Sequence, residues 1–120
     1  MRTMDEALKI LEHEFHSEPE SFLLRLRCEL EWDRAAFSRL EKAMRAICAH
    51  TQGAETLPRW LAEGFYHAAT EVPGWTSHPN FPRPEPREYY DACVERLVDL
   101  ADWYFRGRHV YMEPHVWRDL

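Results

Sequence analysis

Residues 86–105 read PREYYDACVERLVDLADWYF, and this stretch decides the fold that the sequence predicts. When it is projected at about 100° per residue, one side of a helix collects its apolar residues. These are Tyr90, Cys93, Val94, Leu97, Leu100, Ala101 and Tyr104. Pro86 suits the first turn of a helix, and Gly107 follows Arg106 as a typical helix end. The segment therefore predicts an amphipathic helix that packs against a core.

The opposite side of this predicted helix is acidic. An arc of about 80° holds five carboxylates, namely Glu88, Asp91, Glu95, Asp99 and Asp102. Charged residues normally cover the solvent side of a helix, so a solvated face is one interpretation. However, like charges four residues apart repel by about 0.2–0.5 kcal/mol per pair. A basic partner would relieve that repulsion, and we therefore predict that these five residues form a partner-binding surface.

Three helical segments are predicted in the first half of the chain. Thr3 can cap the first, which Ser17-Glu18-Pro19 ends. The second begins at about Glu20 and directs Phe22, Leu23, Leu26 and Leu30 inward. Asp33 resembles the N-cap of a third, and Gly53 marks its end. Because the apolar periodicity nearly continues through Trp32, the second and third segments could instead form one long bent helix.

A fourth helix is predicted before a proline-rich connection. Thr56 and Pro58 open this helix, and Val72-Pro73-Gly74 is expected to break it. Five prolines between Pro73 and Pro86 predict an extended crossing loop. No segment shows sustained alternation of β-branched residues. The predicted fold is therefore all-α: one domain over residues 1–120, as a compact bundle of four to five helices with this loop and an ordered C-terminal tail.

Composition limits the classes of partner. The net charge is −6, which argues against nucleic acid and anionic membrane as ligands because both require a basic excess. No signal-peptide core or membrane-spanning apolar run is present. Cys28, Cys48 and Cys93 form no CxxC pair, and each lies on or beside an apolar helical face. We expect buried free thiols and a cytoplasmic location.

The histidines offer half of a metal site. His13 and His16 are three residues apart, a spacing that brings ligands to one helical face. Glu63 and His67 form a similar pair, but HExxH and a repeated Glu-x-x-His motif are both absent. We therefore predict surface histidines, no metal site and no cofactor.

The segment from Trp75 to Pro82 is the most distinctive loop. Trp75 and Phe81 are large apolar residues joined by turn-forming residues, and loops of this length are often functional. One interpretation is that both rings fold onto the helices and fix the crossing. In the other, the loop binds a ligand and His78 and Asn80 supply hydrogen bonds.

Catalytic motifs are missing. Ser77 and His78 adjoin without an elbow motif, Cys93 lacks an activating basic neighbour in its sequence, and four scattered glycines form no phosphate cradle. The sequence predicts a non-catalytic cytoplasmic protein that presents an acidic helix to a basic protein, as an immunity or antitoxin protein would. The alternatives are a small enzyme or metal-binding domain that uses the His13/His16 region or the His78 loop, and a homo-oligomeric structural protein such as a homodimer.

Overall fold

The structure, a computed structural model, describes residues 3–120 and contains five α-helices and no β-strand in this range. The helices are α1 (Met4–Phe15), α2 (Phe22–Glu29), α3 (Arg34–His50), α4 (Arg59–Thr76) and α5 (Arg87–Arg106). The all-α prediction is therefore confirmed. The second and third segments are separate helices, because Leu30 takes a left-handed conformation (φ 52°) that ends α2.

Local capping explains where several helices begin and end. The Thr3 side chain accepts the Glu6 N–H at 3.2 Å, and Asp33 Oδ1 accepts the Ala36 N–H at 3.0 Å. Gly107 ends α5 with a φ of 78°, a conformation that glycine adopts without steric cost. These signals depend on neighbouring residues alone, which is why the sequence predicts these ends correctly.

Four of the helices enclose the core. α1 packs against α3 and α4, and α5 packs against the same two helices. The rings of Phe65 on α4 and Tyr104 on α5 stack with their centroids 4.1 Å apart. The short helix α2 packs mainly against α1 and α3. Large side chains buried in this core include Leu11, Phe37, Leu40, Met44, Ile47, Leu61, Leu97 and Leu100.

The predicted break of α4 at Val72-Pro73-Gly74 is wrong, since the helix continues to Thr76. Proline removes one N–H donor from a helix but leaves its carbonyl available. Here Thr76 is buried, and its hydroxyl donates to the Val72 carbonyl at 2.7 Å and lies 2.6 Å from the Tyr90 hydroxyl. These contacts hold the last helical turn. Residues 77–86 then connect α4 to α5, and the Arg83 guanidinium donates to the Thr76 carbonyl at 3.0 Å.

Glu41 on α3 is fully buried between two guanidinium groups. Its Oε1 accepts from Arg45 at 3.0 Å, and its Oε2 accepts from Arg96 on α5 at 2.9 Å. Both carboxylate oxygens therefore have charged donors, which is what a buried carboxylate requires. This network joins α3 to α5.

Glu14 on α1 is a second buried acid. It accepts the N–H groups of Phe22 and Leu23 at 2.8 and 3.3 Å, and so caps the N-terminus of α2 from outside that helix. Burial raises the pKa of Glu14, although the two backbone N–H groups lower it in part. Glu14 thus fixes the position of α2 on α1.

The C-terminal tail, residues 107–120, lies against α3 and α5. The Trp117 ring stacks on Trp103 with centroids 5.2 Å apart, and the Arg96 guanidinium carbon is 5.3 Å from the Trp117 centroid. Arg45 donates to the Trp117 carbonyl and to the Asp119 carboxylate, each at 3.0 Å. The tail therefore shares Arg45 and Arg96 with the buried Glu41.

Two predicted buried residues are exposed. Cys28 lies on the outer side of α2, whereas Cys48 and Cys93 are buried as expected, and all three are free thiols. Leu30 is 54% exposed because its left-handed backbone turns the chain away at the end of α2. In the described part of the chain, no helix is both long and apolar enough to cross a membrane.

Candidate protein-binding site

The first half of the acidic arc on α5 is open to solvent. Glu88, Asp91 and Glu95 are all exposed. Asp91 Oδ1 accepts from Arg87 Nε at 2.9 Å, in a pair that is itself exposed. Within residues 3–120, no cationic group lies within 4.0 Å of Glu88 or Glu95. These two carboxylates are therefore available to an external cation.

The second half of the arc is partly occupied by the protein itself. The Tyr111 hydroxyl of the tail donates to Asp99 Oδ2, and this hydrogen bond raises the pKa of Tyr111 to about 12. Asp102 Oδ1 lies 3.6 Å from Arg106 Nη1. The other oxygen, Oδ2, is buried and has no hydrogen-bond partner among the described residues. The structure therefore does not expose the five acids equally.

Arginines on α5 reduce the charge repulsion that the sequence indicates. Arg87 and Arg106 pair with acids four residues away, and Arg96 turns toward Glu41 in the interior. The two pairs on the surface of α5, Arg87–Asp91 and Arg106–Asp102, are each worth about 0.3–0.5 kcal/mol. The repulsion among the five acids is therefore smaller than the sequence suggests, so it supports the prediction of a basic partner less strongly.

Two apolar side chains lie on the same outer face, and sequence reasoning missed them. Val98 is 49% exposed and Phe105 is 46% exposed. Val98 follows Glu95 by three residues, and Phe105 follows Asp102 by three, so each shares a helical face with a carboxylate. A projection that includes these two residues places them at the edge of the acidic arc, between Asp91 and the apolar side of the helix. We define Glu88, Asp91, Glu95, Val98, Asp102 and Phe105 as the α5 face.

Further exposed apolar residues lie on the tail. Among residues 3–120, seven large apolar side chains are exposed, and five of them lie between Val98 and Val116. The three on the tail, Val110, Met112 and Val116, are 63%, 89% and 80% exposed. Exposed apolar side chains are thus concentrated in the same part of the chain as the acidic arc.

The Trp75–Phe81 segment combines buried and exposed groups. Phe81 is buried at 6% exposure, whereas Trp75 is half-buried in the last turn of α4. His78 and Asn80 are exposed, and His78 Nδ1 accepts the Asn80 N–H at 3.1 Å. All four residues line an open groove of about 400 Å³, together with Leu26 and Leu30 of the α2 region. The buried ring of Phe81 therefore anchors the segment, and Trp75, His78 and Asn80 are the more exposed residues of the groove wall.

The predicted histidine pairs are on or near the surface. His13 is half-buried, whereas His16 is exposed and stacks on Trp60 with centroids 6.2 Å apart. In residues 3–120, no three His, Cys, Asp or Glu side chains are grouped so that they could hold a metal ion.

Burial raises the pKa of Cys93 to about 11, so its thiol is protonated at neutral pH.

Comparisons of the chain with known protein families, with curated proteins and with solved structures found no match. The functional argument consequently depends on the residues and contacts described above.

Proposed function

We propose that this protein is a non-catalytic binding protein whose α5 face contacts a basic protein partner. The observation that carries the proposal is the exposure of Val98 and Phe105 directly beside the carboxylates of the acidic arc. Interfaces commonly combine a few apolar anchors with a charged rim. On the α5 face, the apolar groups would supply burial and the carboxylates would supply orientation.

The charge of the protein favours a basic partner. With a net charge of −6 and exposed carboxylates at Glu88 and Glu95, it attracts a cationic surface over a distance of about 8–10 Å at physiological salt. A protein that binds phosphate groups presents such a cationic surface. An inhibitor of a nuclease-like toxin, in the manner of an immunity protein, is the role that fits this chemistry.

A cytoplasmic location belongs to the same proposal. The free thiols of Cys28, Cys48 and Cys93 fit a reducing compartment, in which disulfides rarely persist. Cys28 is exposed, so its thiol would be open to oxidation outside such a compartment.

Charge-neutralising variants test the α5 face. Wild-type protein and the variant Glu88→Gln/Asp91→Asn/Glu95→Gln would each be used to capture partners from a lysate of the source cells at low salt. A basic protein captured by the wild type should bind the variant at least about tenfold more weakly, mainly through a slower association rate. Added salt should slow the wild-type association as well.

A matched control removes the same number of charges elsewhere. Glu12, Glu18 and Glu55 are exposed on other parts of the chain, so Glu12→Gln/Glu18→Gln/Glu55→Gln should retain the partner. Equal loss of affinity in both triple variants would mean that net charge, not the α5 face, recognises the partner. If the wild-type protein is a dimer and Phe105→Glu makes it a monomer, the α5 face binds a second copy of this chain. That result would contradict the proposal.

A further inference from the structure

The groove beside Trp75 lies between α2, the end of α4 and the segment that follows α4. Its apolar walls come from Leu26, Leu30, Trp75 and Phe81. Its volume of about 400 Å³ is within the usual range of roughly 300–1,000 Å³ for small-molecule sites. The groove therefore has the size and the apolar lining of a site for a small ligand.

Contacts within the chain hold this groove in shape. The Arg83 guanidinium donates to the carbonyl oxygens of Thr76 and His78, at 3.0 and 3.2 Å. The Phe81 N–H also donates to the His78 carbonyl, at 3.0 Å, and the Phe81 ring is buried. Because the segment is already fixed by these contacts, a ligand does not have to order it on binding.

Leu30 forms part of the groove wall at a position that favours glycine. Its φ of 52° is left-handed, a conformation that is sterically unfavourable for leucine and free of this penalty for glycine. The residue is also 54% exposed, so about half of its apolar surface remains in water. An apolar ligand in the groove would cover a side chain that the fold leaves open.

The charged and titratable groups in the lining are hydrogen-bond donors. Arg27 is exposed, and within residues 3–120 no carboxylate lies within 4.0 Å of its guanidinium. His78 Nδ1 accepts the Asn80 N–H at 3.1 Å, so the neutral imidazole carries its proton on Nε2 and can donate there. Of the described residues that line the groove, none is acidic, although the net charge of the chain is −6.

Two acids lie near the groove without belonging to it. Arg27 and Trp75 also border a neighbouring cleft, and that cleft contains Glu63 and Glu71. Neither carboxylate comes within 4.0 Å of the Arg27 guanidinium. These acids weaken the attraction of an anion to Arg27, but they do not occupy its hydrogen-bond donors.

We propose that this groove binds a small monocarboxylic acid with an apolar chain, such as a medium-chain fatty acid. The carboxylate pairs with the Arg27 guanidinium, and the apolar chain covers Leu30 and lies against Trp75. Charge complementarity selects this ligand, because a groove with a guanidinium and no acid disfavours cations and gives an uncharged chain no ionic partner. The inference does not depend on the proposed function of the α5 face, because the two surfaces share no residue.

NMR titration with three probes of equal chain length tests this inference. The indole N–H signal of Trp75, assigned with Trp75→Phe, should shift saturably with octanoate at a Kd of about 0.1–1 mM. Octanamide, which has the same shape but no charge, should bind at least about fivefold more weakly. Octylammonium should cause no saturable shift.

Charge variants show whether Arg27 recognises the carboxylate. Arg27→Gln should weaken octanoate binding by at least about tenfold. Arg59→Gln is the matched control, because Arg59 is exposed at the start of α4 and does not line the groove, and it should bind octanoate as the wild type does. Glu71→Gln should bind octanoate more tightly than the wild type, since it removes a nearby negative charge.

Leu30→Gly separates ligand binding from stability. Glycine suits the left-handed backbone at this position, so the denaturation midpoint should not fall. The loss of the apolar wall should nevertheless weaken octanoate binding by at least about threefold. Four results would each overturn the inference: no shift of the Trp75 signal with octanoate up to about 10 mM, equal affinity for octanamide, tighter binding of octylammonium, or unaltered octanoate affinity in Arg27→Gln or Leu30→Gly.

Discussion

The buried Glu41 and the exposed Glu95 are the same residue type in two different regions of the molecule. Glu41 has a guanidinium on each carboxylate oxygen, one from its own helix and one from α5. Glu95 projects from the α5 face, and within residues 3–120 it has no cation at 4.0 Å or less. Charge alone therefore does not identify a binding residue; what matters is whether the fold already provides its partner.

The same comparison applies to aromatic residues. Phe81 is buried at 6% exposure and fixes the α4–α5 connection, whereas Phe105 is 46% exposed on the α5 face. Burial of a large side chain stabilises the fold, but an exposed one contributes little until something covers it. If the α5 face is a binding surface, substitutions there should affect binding and spare stability, and interior substitutions should do the reverse.

The largest expected effect comes from Glu41→Ala. Removing this carboxylate leaves Arg45 and Arg96 without their buried counter-ion, and breaking a buried ion pair costs about 3–5 kcal/mol. Arg45 retains Asp119 as a partner, so a value near the lower end is expected. Urea denaturation measures this loss.

Glu95→Ala is the matched control and should lower the free energy of unfolding by less than about 0.5 kcal/mol. If the two substitutions cost the same, the distinction between interior and outer acids would fail.

The next effect separates Phe81→Ala from Phe105→Ala. Truncating the buried Phe81 should cost about 3 kcal/mol, whereas Phe105→Ala should cost less than about 1 kcal/mol. Thermal unfolding of the two variants measures the difference. A negligible loss for Phe81→Ala would show that its segment does not anchor the crossing, and that the ring is free to serve recognition.

A smaller loss is expected for Glu14→Ala. The N–H groups of Phe22 and Leu23 would lose their acceptor at the start of α2, at a cost of about 1–3 kcal/mol. Hydrogen exchange at these two amides should accelerate more than exchange in α3. Unchanged protection at both amides would contradict the assignment of Glu14 as the cap of α2.

The pKa of Glu14 predicts the sign of a pH effect. Because burial raises this pKa in the folded state, the folded protein binds more protons than the unfolded chain above about pH 4.5. The contribution of Glu14 to stability therefore falls as pH rises from 4.5 through the folded pKa. The stability difference between wild type and Glu14→Gln should shrink over that interval. If this stability difference instead grew with pH, folding would lower the pKa of Glu14 and not raise it.

Local signals predicted most of the fold. Thr3 and Asp33 begin helices and Gly107 ends one, each through contacts with its own neighbours in the chain, so sequence alone located these positions. The continuation of α4 through Pro73 was missed because its last turn is held by a tertiary contact, from Thr76 to Tyr90. The presence of Pro73 in the sequence predicts a helix break, but it gives no information about a hydrogen bond between Thr76 and another helix.

The candidate site was predicted less completely. The acidic arc follows from helical periodicity, but the hydrogen bond from Tyr111 to Asp99 depends on where the tail lies. Val98 and Phe105 lie at the border between the acidic and apolar sides of the same projection, where periodicity does not show whether a side chain is buried. Exposure, unlike periodicity, is a property of the assembled helices.

The smallest effect, and the sharpest test of the α5 face, is Glu95→Gln. Glu95 is four residues from both Asp91 and Asp99, so neutralising it removes two like-charge contacts and no ion pair within the described residues. At about 0.2–0.5 kcal/mol for each of the two contacts, the variant should gain about 0.4–1 kcal/mol of stability at low salt, and the gain should vanish at about 1 M salt. By contrast, Asp91→Asn also loses the Arg87 pair and should change stability by about zero. Denaturant midpoints of both variants at two salt concentrations measure this difference. A destabilised Glu95→Gln would reveal an intramolecular role for Glu95. A stabilised one would show that Glu95 weakens the folded chain slightly through like-charge repulsion, which a bound cationic partner would relieve.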